Sequence, residues 1–324
     1  MKLVYTVCTT NHLYQALSLG DSLKQTNPDY ELVIGLVDKK PNTDFEIPFQ
    51  IVEVEQIQPE NFSAMESKYS VTELTMACKP LFALYFFNTY PTLEKLIYFD
   101  TDILMLNSIE VIEKSLDEYD IMFNPHITKA ISLNETWNEK NVLNAGLYNT
   151  GFVGMRRSEN TFEFLNWWKT HLFKYGYHDY CQGMGADQLC FNFVPVFFKK
   201  VLVDLNPAHN VAYWNFLERS IQYENGQYFI NDDKNKPLTF YHFSGYHPNK
   251  PKLISKHFPN PLKNTVLKQL FTDYNTLLLK NHFSFFSNII PAYGKYTPPK
   301  KEKGFLTQLI DKAAWKAINF IENY

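Results

Sequence analysis

Short apolar runs recur along the first hundred residues of this chain, at positions 3–7, 32–37, 51–54 and 96–99. Between them, segments such as 13–23 and 78–87 carry apolar residues at the spacing of one helix face. Strand-length runs alternating with helical spacing predict βαβ units, hence an α/β domain with a mostly parallel sheet flanked by helices. Runs without polar interruption belong to strands covered on both faces. Further strands are expected at 152–155 and 238–243, helices over 161–173 and 186–193, and another helix starting near Ser108. No internal repeat is visible.

Polar clusters break the pattern at 9–14 (TTNHLY), 100–102 (DTD), 148–151 (YNTG), from 185 (GADQ) and from 242 (HFSGYHP). Each adjoins an expected strand, and open α/β sheets bind ligands where strands end, so one crevice can gather all of them. In the DTD cluster, alternate residues of an extended chain project to the same side. Asp100 and Asp102 can therefore offer oxygen to one hard divalent cation. The competing reading is a turn that caps the helix near Ser108. His242 emerges between Phe240 and Phe243, where a histidine is either a satisfied core residue or a ligand.

Composition narrows the setting. Of the 324 residues 45% are hydrophobic, enough for a sizeable core. A formal charge of −3, with no basic block in the first 280 positions, excludes bulk attraction to nucleic acid. Cys8, Cys78, Cys181 and Cys190 show no C-x-x-C spacing, which with the apolar settings of Cys8 and Cys78 points to free thiols and a reducing cytoplasm. The opening strand is too short for a signal peptide, and no segment reaches membrane-spanning length.

Proline and lysine gather over 291–303, a linker composition, and residues 304–324 place Phe305, Leu306, Leu309, Ile310, Ala313, Ala317, Phe320 and Ile321 at helical spacing. The expected division is a catalytic domain at 1–281, then a linker and amphipathic C-terminal helix at 282–324. From Pro291 onward six lysines face three acidic residues, a balance suited to peripheral contact with an anionic inner membrane surface; docking on the domain or a partner is the alternative.

The order and spacing of these clusters over residues 3–257 resemble the retaining glycosyltransferases of family 8, the glycogenin-like and lipopolysaccharide-galactosyltransferase-like group with a Rossmann-like GT-A fold. The resemblance implies that Thr9, Thr10, Asn11 and Tyr14 hold the nucleotide and that Lys79 reaches the donor sugar and diphosphate. DTD matches the metal-binding D-x-D, with Thr101 on the nucleotide side. Asn149, Thr150 and Gly151 match the N-[AST]-G segment beneath the donor sugar, and Asp187 with Gln188 matches the catalytic D-Q pair, Asp187 facing the anomeric centre. His242 and Gly245 match H-x-x-G, whose histidine completes the metal site. Many relatives continue with K-P-W, whereas here the chain reads YHPNKPKLISKH. This resembles a bacterial subgroup with F-S-G-Y-x-P followed by S-K-H, which leaves Lys250 or Lys256 to supply the missing charge. Residues 206–219 also resemble that subgroup and are expected to close one pocket wall.

The implied activity is metal-dependent, retaining transfer of a sugar from a nucleoside-diphosphate donor, a UDP-sugar, to a glycan, lipid-linked or protein acceptor in cell-surface polysaccharide or glycoconjugate synthesis. An oxygen-rich site suits Mn²⁺ or Mg²⁺, and the single histidine nitrogen favours Mn²⁺. For retention, either a carboxylate attacks the sugar or the leaving diphosphate assists the acceptor on the same face; the resemblance implies the second. Rival readings are a D-x-D phosphatase-like hydrolase and an inactive sugar-nucleotide scaffold. Against the hydrolase, the D-x-D lies far from the N-terminus, Ile103 follows it, and no matching later acidic pair is present. Among the aromatics, Trp167 and Trp168 read as core, and Tyr213 with Trp214 as candidates for acceptor contact.

Overall fold

Strand β1, Leu3–Cys8, is buried at every position, as a strand covered on both faces must be. In the computed structural model, which describes residues 1–135, 137–258 and 260–295, the domain is arranged around this strand. Beside it lie β2 (Glu31–Leu36), β3 (Gln50–Glu53) and β4 (Lys95–Phe99). The short β5 (Ile103–Met105) leaves the sheet, and β6 (Ile121–Pro125) and β7 (Tyr148–Arg156) return to it. The spatial order of the seven-stranded sheet is Val201–Val203, β6, β7, β4, β1, β2, β3. All neighbours pair in parallel except β7, which runs antiparallel to both β4 and β6. The molecule is thus α/β with a mostly parallel central sheet flanked by helices, as the alternation along the chain predicts.

Side-chain alternation divides the core into two layers. Leu96 and Tyr98 of β4 join one layer, Ile97 and Phe99 the other. Helices Leu13–Thr26, Glu110–Glu118 and Thr265–Lys280 cover the Phe99 face, while Lys79–Thr89 and Glu159–Tyr175 cover the Tyr98 face. Trp168 is fully buried there, in keeping with its reading as core. Gly35 in β2 explains how closely helix Lys79–Thr89 approaches, because a Cβ there would lie 2.7 Å from the Phe82 ring. This approach sets Lys79, the first residue of that helix, beside the ends of the strands.

Two expected elements differ. The strand expected at 238–243 is only Phe240–His242, and it pairs antiparallel with β5 in a separate ladder outside the main sheet. The helix expected over 186–193 does not form. Ala186 has a left-handed backbone (φ 49°), which no right-handed helix accommodates. The chain makes a 3₁₀ turn at Leu189–Phe193 and then a one-turn helix, Val194–Phe197, that Pro195 initiates because it has no N–H to bond backward.

Past the last long helix, Phe283–Phe286 packs against Tyr14, with Phe283 at 5.0 Å between ring centroids. Ala292 N donates to Asp38 at 2.8 Å, so the chain stays on the domain to the end of the described residues. The expected amphipathic helix at 304–324 lies outside them.

Candidate active site

The DTD turn follows β4 and is held from two sides. Asp100 N donates to Gly151 O at 2.8 Å, extending the pairing with β7, and Asp102 O accepts from Phe243 N at 2.8 Å. Three chain segments therefore converge on one turn. The capping alternative does not describe it, because helix Glu110–Glu118 starts seven residues past Ile103 with Ile109 at its cap and no side-chain bond there. Instead Asp100, Asp102 and His242 each bring a ligand atom within 4.8 Å of the others. His242 Nε2 lies 3.0 Å from Asp102 Oδ1 and 3.9 Å from Asp100 Oδ2. Gly151 makes this possible, since a Cβ there would sit 2.4 Å from His242 Cε1.

Burial pulls the His242 imidazole down, but the Asp102 and Asp100 carboxylates outweigh it and hold the ring above its ordinary value. Burial pushes the Asp102 carboxyl up, and His242 more than offsets this, so it titrates below the usual range. Each group thus favours its charged form because of its charged neighbours, the other foremost. Two carboxylates and one imidazole nitrogen are a donor set that Mn²⁺ or Mg²⁺ fits, the nitrogen tilting it toward Mn²⁺.

Lys79 joins this cluster to Asp187. Its Nζ is 3.0 Å from Asp100 Oδ1, 2.7 Å from Asp187 Oδ2 and 4.8 Å from the Tyr98 ring centroid, and its side chain is 3% exposed. Burial lowers its pKa, but Asp100 and Asp187 overcome that and hold it at about 12. Thr150 Oγ1 donates to Asp187 Oδ2 at 2.8 Å, and the Tyr98 hydroxyl donates to Asp100. The Asp187 carboxylate makes no helix cap. Gln188 bonds through both ends of its amide: Nε2 donates to Ala145 O at 2.7 Å, and Oε1 accepts from Asn149 Nδ2 at 3.1 Å.

A cavity of about 740 Å³ opens in front of these groups. Thr9, Tyr14, Lys79, Asp100, Thr101, Asp102, Gly245 and Lys256 line it, and so does Lys250. Asn149, Thr150, Gly151, Asp187, Gln188 and His242 form the layer behind, tied to the lining by the bonds above. Thr10 and Asn11 do not line the cavity. Thr10 is buried, its N–H on Asp38 and its hydroxyl on Lys39 O, while Asn11 Oδ1 accepts from Thr9. Trp214 is not available to an acceptor either: it is buried edge-on against His242, at 5.1 Å between ring centroids. Tyr213 stacks on Phe258.

The lining also takes His12 and His247 from the polar clusters at 9–14 and from 242, whereas Gln15, Thr72 and Thr75 were missed by sequence reasoning. Gln15 carries a usable signal, a polar side chain among the apolar residues of helix Leu13–Thr26; its Oε1 accepts from Thr101 at 3.3 Å. Thr72 and Thr75 lie on a helix, Val71–Ala77, whose sequence has no feature that sets it apart.

No protein-family model matches the chain. Two uncharacterized proteins of Bacillus subtilis (strain 168) are similar to it. YfnF is 24% identical over 245 residues, 74% of this chain and 80% of that protein, and YfnD is 22% identical over 251 residues, 74% and 76%. Among solved structures, the galactosyltransferase LgtC in complex with donor and acceptor sugar analogs is 15% identical over 85% of this chain and 95% of its own, with a TM-score of 0.47. The glycosyltransferase GlyE of Streptococcus pneumoniae TIGR4 is 15% identical over 87% of this chain and 63% of its own, with a TM-score of 0.48. Likeness of this degree is distant, and the functional reading rests on the residues of the site.

Proposed function

We propose that this protein is a metal-dependent retaining glycosyltransferase that moves a sugar from a UDP-sugar to a glycan or lipid-linked acceptor. The observation that carries the reading is the Asp100–Asp102–His242 group, whose two carboxylates line a cavity with the histidine behind them, joined through Lys79 to Asp187. Asp100, Asp102 and His242 would hold Mn²⁺ or Mg²⁺. A divalent ion so placed supplies charge neutralisation for a departing diphosphate.

The remaining roles belong to the chain. Lys79 fixes the two acidic groups relative to each other. One oxygen of Asp187 takes both the Lys79 ammonium and the Thr150 hydroxyl, so this carboxylate is a weak nucleophile. It is better suited to stabilising positive charge developing at the anomeric carbon, which favours attack by the acceptor on the face the diphosphate leaves. Gln188 acts on the strand that carries Asn149 and Thr150, because its amide is engaged there. Lys250 and Lys256 both line the cavity, and on this reading one of them supplies the positive charge that a diphosphate needs. The hydrolase alternative needs Asp100 as a nucleophile, and its Oδ1 already accepts from Tyr98 and Lys79.

Incubating the full chain with a panel of nucleotide sugars, Mn²⁺ and simple acceptor sugars, and measuring released UDP, tests the reading. Release from one donor that stops when the metal is chelated supports it; no release from any donor refutes it. No helix among the described residues is long and apolar enough to cross a membrane. The lysine-rich tail is assigned to a cytoplasmic membrane face, and equal liposome co-sedimentation of the full chain and a chain ending at Lys295 would refute that assignment.

A further inference from the structure

Residues 206–219, expected to close a pocket wall, do not line the cavity; one of their buried polar groups, the Asn210 amide, reaches the metal-ligand cluster from behind. Asn210 is 1% exposed and holds a left-handed backbone at φ 54°. One amide reaches two neighbours: Nδ2 lies 3.0 Å from Asn149 Oδ1, and Oδ1 lies 3.1 Å from His242 Nδ1.

Backbone groups dictate the direction of these bonds, since a carbonyl only accepts and a peptide N–H only donates. Ala145 O takes the Gln188 Nε2 hydrogen, so Gln188 turns Oε1 toward Asn149 Nδ2. Independently, Gly151 N donates to Asn149 Oδ1 at 3.0 Å, which makes that oxygen an acceptor. Asn210 must then present nitrogen to Asn149 and oxygen to His242. An oxygen facing Nδ1 requires Nδ1 to carry the hydrogen. In the neutral ring, the form that can ligate a cation, the lone pair is then left on Nε2, the atom 3.0 Å from Asp102.

We propose that Asn210 is the positioning residue of the cation site: it selects the His242 tautomer whose Nε2 is free to ligate, and through Asn149 it ties that ligand to the Gln188 pair. The inference rests on the metal-dependent reading above. The surroundings keep Asn210 in place. Asn215 Nδ2 donates to Asn210 O at 3.0 Å, Arg219 donates to His209 O at 2.7 Å, and His209 Nδ1 meets Asp204 Oδ2 at 2.6 Å. Hydrogen-bond partners of this kind on metal-bound histidines orient the ring and fix its tautomer.

The test uses the full chain with Asn210→Gly and Asn210→Asp. Glycine accepts the positive φ without strain, so Asn210→Gly removes the amide and spares the backbone; aspartate retains an acceptor for Nδ1. Nitrogen-15 NMR of the protein loaded with diamagnetic Mg²⁺, with His242 assigned by difference against His242→Gln, reads the tautomer. The wild type is expected to show a protonated Nδ1 and an unprotonated Nε2, Asn210→Asp the same, and Asn210→Gly a mixture. Titration of Mn²⁺ alone, followed by electron paramagnetic resonance, should show affinity falling about 10- to 100-fold in Asn210→Gly and less in Asn210→Asp. A wild-type ring protonated on Nε2 overturns the proposal even if a variant fails to fold, and so does an Asn210→Gly protein with wild-type spectrum and Mn²⁺ affinity. Neither measurement uses a sugar substrate, so an absence of transfer would refute the glycosyltransferase reading and leave this result standing.

Discussion

Replacing Lys79 with methionine keeps most of the side-chain volume and deletes the charge that joins the two halves of the site. The ammonium is held at about 12 against an ordinary 10.5, a preference for the charged form on the order of 2 kcal/mol after burial has taken its share. The cost of losing it falls unevenly on its partners. Asp100 is 29% exposed and can recover water, but Asp187 is 3% exposed and keeps only Thr150. Stranding one buried charge costs about 3–5 kcal/mol, and this is the expected loss of stability in Lys79→Met. Adding Asp187→Asn removes the stranded charge, so the double variant should regain about half of that loss. The sign with pH follows from the raised value. The contribution is fully present below 10.5 and is lost as pH rises through about 12, so the deficit should be flat across neutral pH. Urea unfolding of the four proteins at neutral and mildly alkaline pH measures all of this. A loss under about 1 kcal/mol, or a double variant no more stable than Lys79→Met, would refute the reasoning.

Gly151→Ala puts a methyl 2.4 Å from His242 Cε1 and 2.7 Å from Asn149 Oδ1, so calorimetry should find Mn²⁺ binding lost, with about 1–3 kcal/mol of destabilisation from overpacking. Asp187→Asn should lower turnover by about 100-fold or more while changing donor affinity little, because the charge is needed as the anomeric bond stretches; steady-state kinetics separate the two, and a fully active variant would remove Asp187 from the chemistry.

Much of the fold is legible in the sequence because burial on both faces leaves a simple mark. β1 and β4 read directly as uninterrupted apolar runs, and helix Lys79–Thr89 as the segment between sheet strands. The direction of β7 is not legible: residues 152–155 have the composition of a buried strand either way, and only the path of the chain from β6 makes it antiparallel. The strand at Phe240–His242 escapes the main sheet because the DTD turn sends its partner β5 out first, a tertiary event with no local signal. Around residues 186–193 the apolar spacing suits a helix, but the left-handed Ala186 places Asp187 against Lys79 instead. Of the site, charged residues at strand ends were visible. Asn210 was not, because a buried asparagine in a loop reads like any turn residue until its amide is seen between Asn149 and His242.

The account stands or falls on whether the carboxylate–histidine group holds a cation that in turn holds a nucleotide. Isothermal calorimetry of UDP with the full chain, with and without Mn²⁺, and with Asp102→Ala measures this directly. The account predicts UDP binding that requires Mn²⁺ in the wild type and is lost in Asp102→Ala. Equal UDP affinity in both proteins in the presence of Mn²⁺ would contradict it.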